Sequence, residues 1–178
     1  MSYRRKIVQF LIASLFLVYN SAFASVEAYL LGPGDRILIT VYDEPDLRTE
    51  VKIDKSGLVS FPFLSDIQVV GLRTADVEKI ITDGLRGDYL VNPQVSVSIV
   101  VYRPFFIHGE VKKPGSYPYQ DDLTLDKAIA LAGGLSPRAS KSKWNITRVV
   151  DGKTVVVKAN ITSYVMPDDI IEIEQSFF

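Results

Sequence analysis

Tyr29-Leu30-Leu31-Gly32-Pro33-Gly34-Asp35-Arg36-Ile37-Leu38-Ile39-Thr40-Val41 reads as a tight turn feeding a strand. Pro33 sets its own φ, and the glycines on either side permit a positive φ beside it. Ile37, Ile39 and Val41 then fall on one face of an alternating strand, with Leu38 and Thr40 on the other. Pro167-Asp168-Asp169-Ile170-Ile171-Glu172-Ile173 repeats this grammar near the other end of the chain. Again an acidic turn precedes alternating apolar residues. The two stretches are one local solution used twice, without a tandem repeat between them.

Upstream of the first turn lies a targeting segment. Arg4, Arg5 and Lys6 form a basic start, residues 7–19 are apolar apart from Gln9 and Ser14, and Ala22-Phe23-Ala24 fits a small-x-small cleavage site. Residues 1–24 are therefore expected to be a signal peptide, with Ser25 as the new N-terminus. The rival reading, an uncleaved anchor, wants roughly 20 apolar residues, and Asn20 and Ser21 arrive too soon. No Cys stands beside the cleavage site, so no lipoprotein signal is expected.

Cleavage would remove three of the 20 basic residues and none of the 21 acids, leaving a formal charge of −4. Nucleic acid is excluded as an expected partner, because that surface needs a basic patch. The chain has no cysteine, which removes disulfides, thiolate metal sites and a Cys nucleophile. The 154 residues after the leader, 178 less 24, suffice for one domain or two small ones.

Along the chain, residues 42–47 read as a polar turn region and 50–54 as a strand. Asp54-Lys55-Ser56-Gly57 reads as a hairpin-type turn. Residues 58–64 read as a strand that Pro62 confines to an edge or bulge, and 67–70 as another. Thr74 is the expected N-cap of a helix over 75–88, with Val77, Ile80, Ile81 and Leu85 on its apolar face. Asn92-Pro93 breaks the chain, and 94–101 alternates with Val95, Val97, Ile99 and Val101 on one face. Arg103-Pro104 marks a boundary. Beyond it come a strand at 105–107 and a second helix capped by Thr124, with Leu125, Ala128, Ile129 and Ala132 buried. Gly133-Gly134 ends that helix. Strands at 144–150 and 154–158 follow, joined by Asp151-Gly152.

The Gly-Pro-Gly-Asp stretch resembles the opening of the bacterial polysaccharide export proteins, the Wza-like outer-membrane auxiliary family. Gly57, Pro62, Ile67, Val69, Gly71 and Leu72 match a further motif of that family, with Ser65 in place of a Gly and Arg73 displacing a Thr to position 74. Tyr89-Leu90, Pro93, Val95 and Val97 match the next. The second half resembles the soluble-ligand-binding β-grasp (SLBB) domain. Gly109, Glu110, Val111, Pro114, Gly115 and Tyr117 match its first motif, and Thr124, Ala128, Ile129, Ala132, Gly133 and Gly134 its second. The resemblance implies an α+β protein: a small export domain over residues 26–102, then a single β-grasp domain over 103–176. It assigns a structural role to the motif residues Gly32, Pro33, Gly34, Asp35, Gly57, Pro62, Gly71, Pro93, Gly109, Pro114, Gly115, Tyr117, Gly133 and Gly134.

By the same resemblance, the protein takes part in exporting a capsular or exopolysaccharide, as a periplasmic, ring-forming conduit associated with the outer membrane. The implied partners are the polysaccharide, further copies of the chain, an inner-membrane polysaccharide co-polymerase and an outer-membrane β-barrel. A monomeric module binding a glycan or small ligand is the alternative. Typical relatives carry a lipid-bearing Cys, further SLBB domains and a C-terminal amphipathic helix. This sequence shows none of them, so a short periplasmic member that relies on another protein to cross the outer membrane is expected.

No catalytic group, cofactor or metal is expected. His108 stands alone, without the partners of a triad or a zinc site. Glycoside hydrolysis needs two carboxylates roughly 5–10 Å apart across a sugar, and neighbours such as Asp121-Asp122 or Asp168-Asp169 point apart in a strand. Asp121, Asp122 and Asp126 could together ligate Ca²⁺, but acids before a helix are expected at its positive end. Tyr102, Phe105, Phe106, Tyr117, Tyr119 and Trp144 gather near the boundary, where packing is preferred over sugar stacking. N-terminal sequencing of the exported protein should find Ser25. An intact leader in the inner membrane would refute the assignment.

Overall fold

The computed structural model describes residues 29–150 and 152–176. The leader assigned to residues 1–24 and Asp151 of the expected turn lie outside the described residues. What is described is mostly β, with ten strands and two helices. The α+β expectation therefore gave helix more weight than the structure does.

The first half builds on β1 (Arg36–Val41), flanked by β2 (Glu44–Lys52) and β5 (Val95–Val101) in an antiparallel sheet of order β2-β1-β5. Ile37, Ile39 and Val41 are buried as the alternation requires. Helix α1 (Thr74–Leu85) lays Val77, Ile81 and Leu85 into the same core. These three stand at i, i+4 and i+8, a narrow stripe. Ile80 lies off that stripe and is largely exposed, which corrects its expected place. Phe61, Val59, Ile67 and Val69 close the core from below, where β3 (Leu58–Val59) and β4 (Ile67–Gln68) make a two-stranded ribbon.

Several boundaries differ from expectation, each for a local reason. β2 begins at Glu44, because Asp43 at φ 62° completes a tight reversal that sets Val41 opposite Glu44. The register then shifts between Ile39 and Val41, so Pro45 sits in the irregular part of an edge strand, where its missing N–H costs no ladder bond. Asp54-Lys55-Ser56-Gly57 is a turn, closed by Gly57 N–H donating to Asp54 at 3.2 Å. It joins β2 to β3, which do not pair with each other. Pro62 lies in a turn closed by Leu64 N–H donating to Phe61 at 3.1 Å, and not in a strand. Arg73, not Thr74, caps α1, because Asp76 reaches back to the Arg73 N–H (3.1 Å) and guanidinium (2.9 Å). Val101 leaves the buried face because β5 carries an extra residue: Arg36 faces Val101, yet Ile37 faces Ile99.

The second half is a five-stranded sheet of order β7-β6-β10-β8-β9. Its strands are β6 (Phe105–Gly109), β7 (Gly115–Tyr117), β8 (Ala139–Val150), β9 (Lys153–Ala159) and β10 (Ile170–Gln175). β6 and β10 run parallel, and the other neighbours antiparallel. Helix α2 (Leu125–Leu131) packs Leu125, Ala128 and Ile129 against Phe105, Ile107, Trp144, Ile146, Ile171 and Ile173. Thr124 holds the expected N-cap position, though its hydroxyl turns to Asp126 and not to the helix backbone.

Gly109 ends β6 at φ 85°, and a Cβ there would lie 2.2 Å from the Ile173 carbonyl oxygen. That oxygen already accepts the Glu110 N–H at 2.9 Å. Gly109→Ala must break this contact and adopt a strained φ, at a cost of about 2–4 kcal/mol. Urea denaturation should show a lower midpoint with unchanged slope.

Candidate functional site

Asp35 completes the first turn and is fully buried. Its carboxylate accepts four hydrogen bonds: from Gly32 N–H (2.8 Å), Tyr29 hydroxyl (2.7 Å), Arg103 N–H (2.8 Å) and Arg103 Nη1 (3.0 Å). An isolated carboxylate could not be buried so; a charge needs partners to leave water. The Arg103 side chain also donates to Tyr29 Oη at 2.9 Å and lies over the Tyr29 ring, 5.4 Å from its centre. The glycines of the turn make room for it. A Cβ on Gly32 would lie 2.3 Å from the guanidinium, and Gly34 sits at φ 104° against the Arg103 side chain.

Asp169 is the same construction in the second half. It too is fully buried and accepts the N–H three residues back, from Met166 at 2.7 Å. Arg148 grips it twice, at 2.8 Å from Nε and 2.6 Å from Nη2. Asp168 takes the positive φ that Gly34 takes in the first turn, 71° against 104°. The backbones match as well: Asp35 N–H donates to Gly32, and Asp169 N–H to Met166, each at 3.2 Å.

Both turns act on the segment between the halves. The first holds Arg103 through its main chain and side chain. The second holds the next residues, with Asp168 N–H donating to Pro104 (3.0 Å) and Phe106 N–H donating to Asp169 (2.8 Å). Three tyrosines bridge the gap. Tyr29 meets Tyr102 edge-to-face at 5.1 Å, and Tyr102 meets Tyr119 likewise at 5.2 Å. Burial pushes the Tyr102 hydroxyl up to about 12, helped by its hydrogen bond to Asp121. Burial also raises Tyr119, and raises Tyr29 further, reinforced there by the bond to Asp35.

The expected site residues divide into groups. Gly32, Pro33, Gly34 and Asp35 form the first clamp. Gly109, Pro114, Gly115, Tyr117, Gly133 and Gly134 gather where the loop after β6 meets the end of α2, through Lys112 N–H to Gly134 (3.0 Å) and Tyr117 hydroxyl to Lys113 (2.6 Å). Gly57 and Gly71 serve backbone bonds around β4 and Leu31, and Pro93 is buried just before β5. They do not converge on one pocket. The aromatic group also splits. Phe105 and Trp144 are core, with Phe105 stacked on Tyr117 at 5.9 Å, whereas Phe106 is exposed.

Among the described residues no cluster of acids and histidine could hold a metal ion. Asp121 instead bonds Tyr102, Asp126 bonds Thr124, and Asp122 offers its main-chain oxygen to Lys127 at 3.0 Å. His108 is exposed on β6 opposite Glu172. Sequence reasoning took Arg103 only as a boundary and passed over Arg148. The available signal was the Asp closing each apolar-flanked turn, since a carboxylate buried there needs a cation.

Residues 24–100 match the family described as Polysaccharide biosynthesis/export protein, and residues 104–158 match the SLBB domain. The chain is 32% identical over 130 residues to the exopolysaccharide production protein ExoF of Rhizobium meliloti, covering 65% of this chain and 30% of that one. It is 26% identical over 186 residues to the EPS I polysaccharide export outer membrane protein EpsA of Ralstonia nicotianae, covering 85% and 49%. It is 24% identical over 138 residues to the polysialic acid transport protein KpsD of Escherichia coli, covering 76% and 24%. The chain thus spans half or less of the length of these relatives.

Asp35→Ala should cost on the order of 3–5 kcal/mol, because it strands the mostly buried Arg103 guanidinium. A chemical denaturation midpoint close to wild type would contradict this. The tyrosines add a pH dependence. A hydroxyl whose folded pKa lies above its free value of 10.0 keeps its proton better in the folded state. Stability is then complete below pH 10 and falls as pH rises towards about 12. Thermal melts should show this decline, and Tyr102→Phe should flatten it. With an export domain followed by an SLBB domain, joined through this double clamp, the chain belongs to the polysaccharide biosynthesis/export proteins.

Proposed function

We propose that this protein is a periplasmic component of a capsular or exopolysaccharide export machine, associated with the outer membrane. Copies of it close into a ring-shaped conduit between an inner-membrane co-polymerase and an outer-membrane barrel. The observation that carries the export reading is the pair of domains in this chain, an export domain and then an SLBB domain, together with its similarity to relatives whose names concern exopolysaccharide production, export and transport. EpsA is described as an outer membrane protein. No helix among the described residues is long and apolar enough to cross a membrane. In this reading the protein works by shape and not by catalysis. The double clamp suits that role, because a ring closes only if every subunit holds one fixed angle.

The ring itself draws support from the β8–β9 hairpin. Among the described residues β9 is the outermost strand of its sheet, with one edge unpaired. Val149 and Val156 lie on one face of the hairpin, and Val150, Val155 and Val157 on the other, all exposed. A long apolar edge strand invites pairing with another chain. Copy-to-copy contact there would cover both the edge and the valines.

Light scattering on the purified mature protein should give a mass several times that of one chain. Val156→Asp, at a side 67% exposed, should lower that mass while shifting stability by no more than about 0.5 kcal/mol. A monomeric wild type would favour the alternative of a monomeric glycan- or ligand-binding module. Deleting the gene should block polymer export and leave repeat-unit synthesis intact.

A further inference from the structure

Phe63 breaks a local rule. It sits at φ 67°, a left-handed conformation that a bulky aromatic side chain rarely adopts. The strain does not serve burial, because the residue is 62% exposed. It serves to aim the ring. Phe63 stacks on Tyr89, with centres 4.9 Å apart and planes 22° from parallel. Tyr89 is itself 49% exposed, and Val91 beside it is 94% exposed.

Both rings stand on fixed supports. The Phe63 turn is closed by the bond from Leu64 to Phe61, and Leu64 packs against α1 at Gly84, where a Cβ would approach it to 2.9 Å. The Tyr89 loop leaves the end of the same helix. There Tyr89 and Leu90 N–H both donate to Leu85, and Gly87 N–H donates to Leu90 at 2.8 Å. Little ordering remains for a ligand to impose.

The geometry points to a glycan-binding platform on the outward ring faces of the Phe63–Tyr89 stack, specific for uncharged pyranose units. This rests on the export reading and assigns it a contact point and a class of polymer. A pyranose with equatorial hydroxyls has a flat face of C–H groups, and the negative faces of aromatic rings attract such positive edges. The hydroxyls at the sugar rim need polar partners. Among the described residues, the Tyr89 hydroxyl and the Asp88 carboxylate meet no hydrogen-bond partner, and both stand at the platform.

The charge of the surround selects the ligand. The segments bearing the rings carry Asp66, Asp83 and Asp88; Asp83 is paired with both Arg86 at 3.3 Å and Lys79 at 2.5 Å, so the acidity of the surround comes from Asp66 and Asp88. An acidic rim repels an anionic polymer and an anionic leaflet alike.

The test is amide chemical-shift titration of the mature protein with cellohexaose, a neutral β-linked glucan. Parallel arms use an oligogalacturonate and phosphatidylglycerol vesicles. Saturable shifts confined to residues 61–66 and 86–92 are expected, with the anionic probe at least tenfold weaker and no vesicle binding. Phe63→Gly removes the ring and relieves the strained φ. It should weaken cellohexaose binding at least tenfold with no loss in Tm, a combination that a merely packing ring would not give. Tyr89→Ala should weaken binding similarly. The platform is overturned if wild type gives no saturable shift, if Phe63→Gly binds equally well, or if the oligogalacturonate or the vesicles bind better. It is also overturned if the shifts follow protein concentration, as for contact with a second copy. If the glucan fails to bind while gene deletion still blocks export, the platform falls and the export reading stands. Normal export after deletion removes the export reading instead.

Discussion

The buried carboxylate of Asp35 is the constraint on which the relation between the two halves depends. Its four hydrogen bonds all come from within one turn or from the connecting segment. Arg103 is thereby fixed at both its backbone and its side chain, two residues before Phe105 starts the second sheet. Asp169 fixes the far side of the same segment through Pro104 and Phe106. A connection that sequence marks as a boundary is thus gripped from both ends. Buried ion pairs are weak sources of net stability, since desolvation offsets attraction. What they supply here is geometry: if either carboxylate loses its arginine, a buried charge is left without a partner, so only one arrangement of the segment is tolerated.

The sequence made much of this legible, and the limits are physical. The alternation of Ile37, Ile39 and Val41 and the α2 face of Leu125, Ala128 and Ile129 could be read directly, because burial on one face is a one-dimensional pattern. The echo between Gly32-Pro33-Gly34-Asp35 and Met166-Pro167-Asp168-Asp169 was legible as a turn. Its partners were not, because Arg103 lies 68 residues from Asp35 and Arg148 lies 21 from Asp169. Boundaries failed where one residue decides. Asp43 in a left-handed conformation starts β2 early, Asp76 moves the cap of α1 back to Arg73, and the extra residue in β5 turns Val101 outward.

The family motifs describe how the chain holds itself together more than what it touches. Gly32 lacks a Cβ so that the Arg103 guanidinium can lie over the turn. Gly109 lacks one so that β6 can meet the Ile173 carbonyl. Both are close approaches within one chain. That explains why the motif residues do not converge on a pocket.

Local and global preferences agree across most of this fold, and no buried side-chain polar atom among the described residues lacks a partner. Natural sequences depart from such agreement mainly where function requires it. Asp168 departs from it within the clamp, at φ 71°, and further departures lie away from the clamp. One is an aromatic residue held at positive φ to present its ring to solvent. Another is a two-stranded hairpin with valine on both faces and an open edge. Neither improves the isolated chain: the first stores backbone strain and the second exposes apolar surface. Each is a surface on which the proposed glycan or a second copy would rest. A rigid joint between two domains would hold both surfaces at a fixed distance and angle. In the proposed conduit, that fixed relation is what the clamp would contribute to the platform and the hairpin.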